Sequence, residues 1–287
     1  MRKLFFFLAI SAFALSSVQA QSLDQILKEH YKASGQDKIS KVKTVITQGK
    51  LTYVTAGMES AITLYQLRPD KVRMEASILG SKVIQTYNGT TGWMYAPAMG
   101  IAQPQEMGEA ELRAVLQQVE FDSPLWNYQE KGSKAELAGS SDDGSSHLVK
   151  LIQEDGQEIT LLIDKKTHLI SGTTTHTVLG GAETEVNVSM KDYKEVKGIQ
   201  TAHYISTKIN GEVMLTLAIE SIEYNKDIDP AMFEKFFHHS RNTTGSVQVL
   251  DPVFSPWAQG TQMGSVLTHL IDQVQINIHM GFVGNGL

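Results

Sequence analysis

Residues 64–75 read LYQLRPDKVRME, two apolar-alternating runs broken by Arg68-Pro69-Asp70. Val72 and Met74, continued by Ala76 and Ile78, fall on one side of an extended chain, while Arg73, Glu75 and Ser77 fall on the other. A period of two on both sides of a Pro-Asp turn predicts two antiparallel strands, each with one face turned to a core.

The pattern spreads in both directions. VITQGKLTYV, MESAITLYQL, KVRMEASIL and KVIQTYN follow one another from Thr44, separated by turn residues. After residue 146 strand-length runs resume as HLVKLIQ, EITLLID, HLISGTTTHTVL, TEVNVSM, QTAHYISTKI and EVMLTLAIESIEY, with Asp155-Gly156, Gly180-Gly181 and Asn210-Gly211 between them. About eleven strands are expected, in an antiparallel meander. Two helices punctuate it. SLDQILKEHYKASGQ opens with a Ser22/Gln25 capping box and stops at Gly35; Leu112, Val115, Leu116 and Val119 recur at helical spacing after Pro104.

The ends read differently. Arg2 and Lys3, the run LFFFLAISAFAL and Val18-Gln19-Ala20 have the form of a secretory signal cleaved before Gln21, and the run is shorter than the roughly 20 residues of a bilayer-spanning helix. The expected division is a signal over 1–20, a domain over 21–237 and a tail over 238–287 with poor strand periodicity. The tail is expected to be dispensable, truncation at Lys235 leaving the thermal midpoint within a few degrees.

Composition narrows the chemistry. With no cysteine there is no disulfide, thiol nucleophile or acylated lipid-anchor cysteine, so a soluble exported protein is expected. The net charge of −6, or −8 without Arg2 and Lys3, argues against nucleic acid as a partner. No phosphate-cradling glycine loop or Gly-x-Ser-x-Gly elbow is present, so no catalytic residue is assigned and no reaction is expected. His168 and His176, eight apart in one strand-like run, would stand about 26 Å apart, too far to share a metal. No metal or cofactor is expected.

What remains is apolar surface. LVKLI, ITLLI and VMLTLAI are apolar over more than half their length, and TGWMYAPAMG adds Trp93, Tyr95 and two methionines. Two readings stay open on composition: a core packed under the two helices, or a surface that holds an apolar ligand.

Arg68-Pro69, the basic-apolar-Arg strand that follows, and Tyr87-Asn88-Gly89 with Trp93-Met94-Tyr95 resemble the LolA/LolB-type outer-membrane lipoprotein-sorting family, most of all its divergent Bacteroidetes-like branch. DYKEVKGI at 192–199 and EYNKDIDPAMFEK at 223–235 continue the resemblance, which covers roughly residues 22–236. It implies an unclosed, curved antiparallel β half-barrel under a helical lid. It also implies a periplasmic carrier, a monomer, that shelters acyl chains between an inner-membrane ATP-driven release complex and an outer-membrane acceptor. A lipid-sensing or scaffold role in envelope stress is the alternative on the same fold, and a secreted hydrolase, with no sequence constellation behind it, ranks third. By family position Arg68 is the lid latch, and Leu64, Met74, Ile78, Trp93, Tyr95, Leu215 and Leu217 are the candidate lipid-binding residues.

Overall fold

The computed structural model describes residues 21–78, 80–179 and 182–236. The signal, its cleavage site and the tail from His238 lie outside the described residues.

Helix α1 (Leu23–Ser34) begins where Ser22 Oγ accepts the Gln25 N–H, and ends where Gly35 enters the left-handed region with φ 78. Only half of the expected capping box forms, because the Gln25 side chain turns forward to Glu29. A single turn, α2 (Gln36–Ile39), follows directly.

The first meander is β1 (Thr44–Tyr53), β2 (Met58–Leu67), β3 (Lys71–Ile78), β4 (Ser81–Tyr87), β5 (Gly92–Ala96) and β6 (Ile101–Glu106). Then come α3 (Glu109–Leu116) and a second meander: β7 (Lys134–Ser140), β8 (Ser146–Ile152), β9 (Glu158–Asp164), β10 (Ile170–Leu179), β11 (Ala182–Val196), β12 (Ile199–Ile209) and β13 (Glu212–Tyr224). All thirteen form one antiparallel sheet in the order β6-β5-β4-β3-β2-β1-β13-β12-β11-β10-β9-β8-β7. The sheet stays open, as an unclosed curved half-barrel.

The count of eleven strands is corrected to thirteen in the described chain, and the two outermost strands explain the shortfall. Both β6, IAQPQE, and β7, KAELAGS, pair on one side only and are largely exposed. An edge strand that buries little needs no apolar alternation, and Pro104 is tolerated there because an edge has ladder positions without a partner.

This order dictates a lid. β6 and β7 are consecutive in the chain but lie at opposite edges of the sheet. The segment 107–133 must therefore cross one face, and it buries Met107, Val115, Phe121, Leu125 and Tyr128 against the core. The core face is set by register. Val45, Thr47 and Leu51 of β1 align with Gln66, Leu64 and Ser60 of β2 and with Tyr224, Ile222 and Leu217 of β13. These side chains are buried on the concave side, beneath the crossover and α1.

On the convex side, the chain beyond β13 returns across β3–β5. Arg73 Nη1 donates to Met232 O at 2.9 Å, Thr86 Oγ1 donates to Phe233 O at 3.2 Å, and Phe233 is fully buried. Phe236 stands edge-on to Tyr95, with ring centroids 6.0 Å apart. A cut at Lys235 therefore removes one packed aromatic ring besides the tail.

Candidate functional site

Two positive-φ residues shape the site. Gly35 ends α1 so close to the β11–β12 turn that a Cβ built on it would lie 2.3 Å from Gly198 O. Only glycine allows the helix to sit that low on the sheet. Asp192, at φ 54, interrupts the alternation of β11, so that Met190 and Tyr193, three residues apart, both face inward.

Between α1–α2, the crossover and strands β9–β13 lies a cavity enclosing about 950 Å³ of empty space, its opening to solvent included, of which about 110 Å³ can hold the centre of a water molecule. Its walls are mainly apolar: Ile39 from α2, Phe121 and Pro124 from the crossover, Ile159 and Leu161 from β9, Ile170 from β10, Met190 from β11, and Ile199 and Ala202 from β12.

Most of the polar groups on its walls are held by the protein itself. His30 Nδ1 lies 2.9 Å from the carbonyl of His168, which can only accept, so Nδ1 carries the proton. Nε2 is then the acceptor, and Ser123 Oγ donates to it at 2.9 Å. Burial lowers the His30 pKa to about 4, so the ring is neutral near pH 7. Tyr193 OH donates to Ile170 O at 2.5 Å, and Tyr224 OH pairs with Thr201 Oγ1 at 2.8 Å. His168 belongs to the turn before β10, in left-handed conformation at φ 59, instead of sharing a strand with His176.

The lid is tied down by a polar cluster. Gln36 Nε2 donates to Asp122 Oδ1 at 2.8 Å, and the Ser123 N–H donates back to Gln36 Oε1 at 3.0 Å. Arg68 Nη1 pairs with Asp122 Oδ2 at 2.8 Å, while Arg68 Nε donates to Val42 O at 2.8 Å and Nη2 to Ile39 O at 3.3 Å. The guanidinium lies 4.0 Å over the ring of Phe121, itself a cavity wall. Tyr31 OH donates to Leu125 O, and the Tyr31 ring stands edge-on to Trp126.

The seven candidate lipid-binding residues fall into two groups, neither of which lines this cavity. Leu64, Met74, Ile78, Leu215 and Leu217 are buried on the concave face, Leu64 directly across from Met74. Trp93 and Tyr95 occupy the other face: their register partners Thr86 and Ile84 align with Arg73 and Glu75, opposite in parity to Met74. The cavity walls themselves drew no site assignment from the sequence, although ITLLI, which supplies Ile159 and Leu161, stood out as unusually apolar.

No protein-family model matches the chain, and no curated protein matches it. Among solved structures it is similar to a DUF1329 family protein from Desulfovibrio piger, with TM-score 0.50, 12% identity, and coverage of 73% of this chain and 97% of that one. It is also similar to a LolA superfamily protein from Nitrosomonas europaea, with TM-score 0.49, 13% identity, and coverage of 75% and 99%. At such identities a likeness speaks to fold alone. The chain shares the fold of the Desulfovibrio piger protein, and its sheet is the unclosed half-barrel that the Arg68-Pro69 and Asn88-Gly89 motifs implied.

Proposed function

We propose that this protein is a soluble carrier of lipid acyl chains in the bacterial envelope, working by binding and release without catalysing a reaction. The observation that carries the reading is the cavity, which combines mainly apolar walls with polar groups most of which are already paired inside the protein. Such walls offer an incoming chain the transfer of apolar surface, worth about 0.8 kcal/mol for each methylene taken from water. In this reading Leu64, Met74, Ile78, Leu215 and Leu217 extend the apolar floor beyond the cavity for longer chains.

Release requires the lid to move. Arg68 is its latch, because one guanidinium bonds the end of α2 and the crossover together. The cargo is the acyl part of lipoproteins, received from an ATP-driven release complex in the inner membrane and delivered to an outer-membrane acceptor. The location is the periplasm.

The test is native purification of the protein from an envelope fraction of a bacterium that expresses it, followed by mass spectrometry of what co-purifies. Acylated lipoproteins or lipids in stoichiometric amount are expected. Folded protein that carries no acylated species would contradict the proposal.

A further inference from the structure

Among the described residues that line the cavity, none is Asp, Glu, Lys or Arg. An ionised headgroup drawn inside would therefore lose its water with no opposite charge to meet it, which is strongly unfavourable. Lys38 lies on α2, which supplies the wall residue Ile39, and Lys197 on the β11–β12 turn, which leads into the wall residue Ile199.

Both lysines are placed by the fold. A Cβ built on Gly198 would lie 1.9 Å from Lys38 Nζ, so the ammonium rests on a turn where any side chain would displace it. Lys197, held at φ 52 in the same turn, reaches Tyr224 O with its Nζ at 2.9 Å, and Tyr224 is another cavity wall. Asp37 and Glu195 are near in sequence, yet among the described residues neither ammonium has a carboxylate oxygen within 4.0 Å. An ammonium offers three donors, so Lys197 keeps two beyond its carbonyl bond and Lys38 keeps all three. In a chain of net negative charge, two exposed ammonium groups without a carboxylate partner among the described residues, on elements that adjoin the walls of a cavity lacking Asp, Glu, Lys and Arg, offer donors to an anion.

We infer that Lys38 and Lys197 bind the phosphoryl group of a lipid whose acyl chain occupies the cavity. The inference rests on the carrier reading and names its ligand more closely: a phosphate-bearing lipid, held with its chain inside and its anion at the rim. Phosphate suits the pair because several oxygens can accept from two separate point charges at once.

The test compares two probes of equal chain length on the full mature protein: phosphatidylglycerol and diacylglycerol, each with one pyrene-labelled chain. Wild type is expected to bind the phospholipid more tightly, by roughly fivefold for each lysine engaged, and to lose the margin at high salt. The K38Q/K197Q variant is expected to bind both lipids with the affinity that wild type shows for diacylglycerol. Inorganic phosphate, titrated alone and as a competitor, separates the sources. If it binds in the millimolar range, the rim recognises the free anion too; if it does not, recognition needs the tethered headgroup. Equal binding of the two lipids by wild type, or a preference that survives in K38Q/K197Q, would overturn the inference while leaving the carrier reading intact. Binding of neither lipid would overturn both.

Discussion

Asp122 accepts from Arg68 and from Gln36 through different carboxylate oxygens, each at 2.8 Å, so one buried side chain joins the β2–β3 turn to the start of α2. The crossover that carries Asp122 is thereby fixed to two elements distant from it in sequence. Arg68→Leu should leave the sheet's far-UV circular dichroism unchanged and raise amide exchange in residues 22–42 and 117–133. A cycle of Arg68→Leu, Asp122→Leu and the double variant should give a coupling of roughly 0.5–3 kcal/mol in chemical denaturation. A coupling near zero would remove the ion pair from the account of the lid.

The approach of α1 to the sheet is the second point of dependence. Gly35→Ala meets a left-handed backbone, costing about 1–2 kcal/mol, and in addition a clash with Gly198 O. The thermal midpoint should fall by several degrees, with exchange increased first in α1 and α2. An unchanged midpoint would show that the helix can ride higher without loss.

His30 gives a pH signature. Its folded pKa is about 4 against an ordinary value of 6.5, so between those values the unfolded chain binds more protons than the folded one. The stability from the neutral ring is complete above pH 6.5 and is lost as pH falls towards 4. The loss amounts to roughly 3 kcal/mol for this group. His30→Gln should be less stable at pH 7 and show a shallower decline over that window, measured by urea unfolding at several pH values. Parallel declines in the two proteins would assign the pH response to other groups.

Phe233 holds the returning segment on the convex face, fully buried above β3 and β4. Phe233→Ala should destabilise the protein by about 3–5 kcal/mol, read from denaturant midpoints. It should affect acyl-chain binding little, because the cavity lies on the other side of the sheet. Loss of binding at unchanged stability would contradict that separation.

The fold was legible wherever one face of a strand is polar. In β3, Val72, Met74 and Ala76 alternate with Arg73 and Glu75, and the register confirms the parity. The facing of the strand was illegible in WMYA at 93–96, where Met94, Tyr95 and Ala96 are all buried and alternation vanishes. The cover on the convex side comes from Phe233 and Phe236, more than a hundred residues downstream, which no local pattern announces. The edge strands β6 and β7 were hidden for the opposite reason, burying too little to need a pattern. The cavity was harder still. Gln36 and Asp122 meet across 86 positions, and Ala202 lines a wall that α1 and α2 cover after a close approach at Gly35. Arg68 was singled out by motif alone; its reach to Ile39, Val42 and Asp122 is a property of the folded chain.

The claim that the cavity holds an acyl chain is tested most directly by filling it. Ala202 is buried on the cavity wall, and Trp in its place projects an indole into the empty space. Affinity for a fluorescent long-chain acyl probe should be measured in delipidated wild type, Ala202→Trp and Trp93→Ala, the last altering the convex face only. The account predicts at least about a tenfold loss for Ala202→Trp, or roughly 1.4 kcal/mol, with native circular dichroism, and unchanged binding for Trp93→Ala. Undiminished binding by folded Ala202→Trp, or a loss confined to Trp93→Ala, would place the ligand elsewhere and contradict the account.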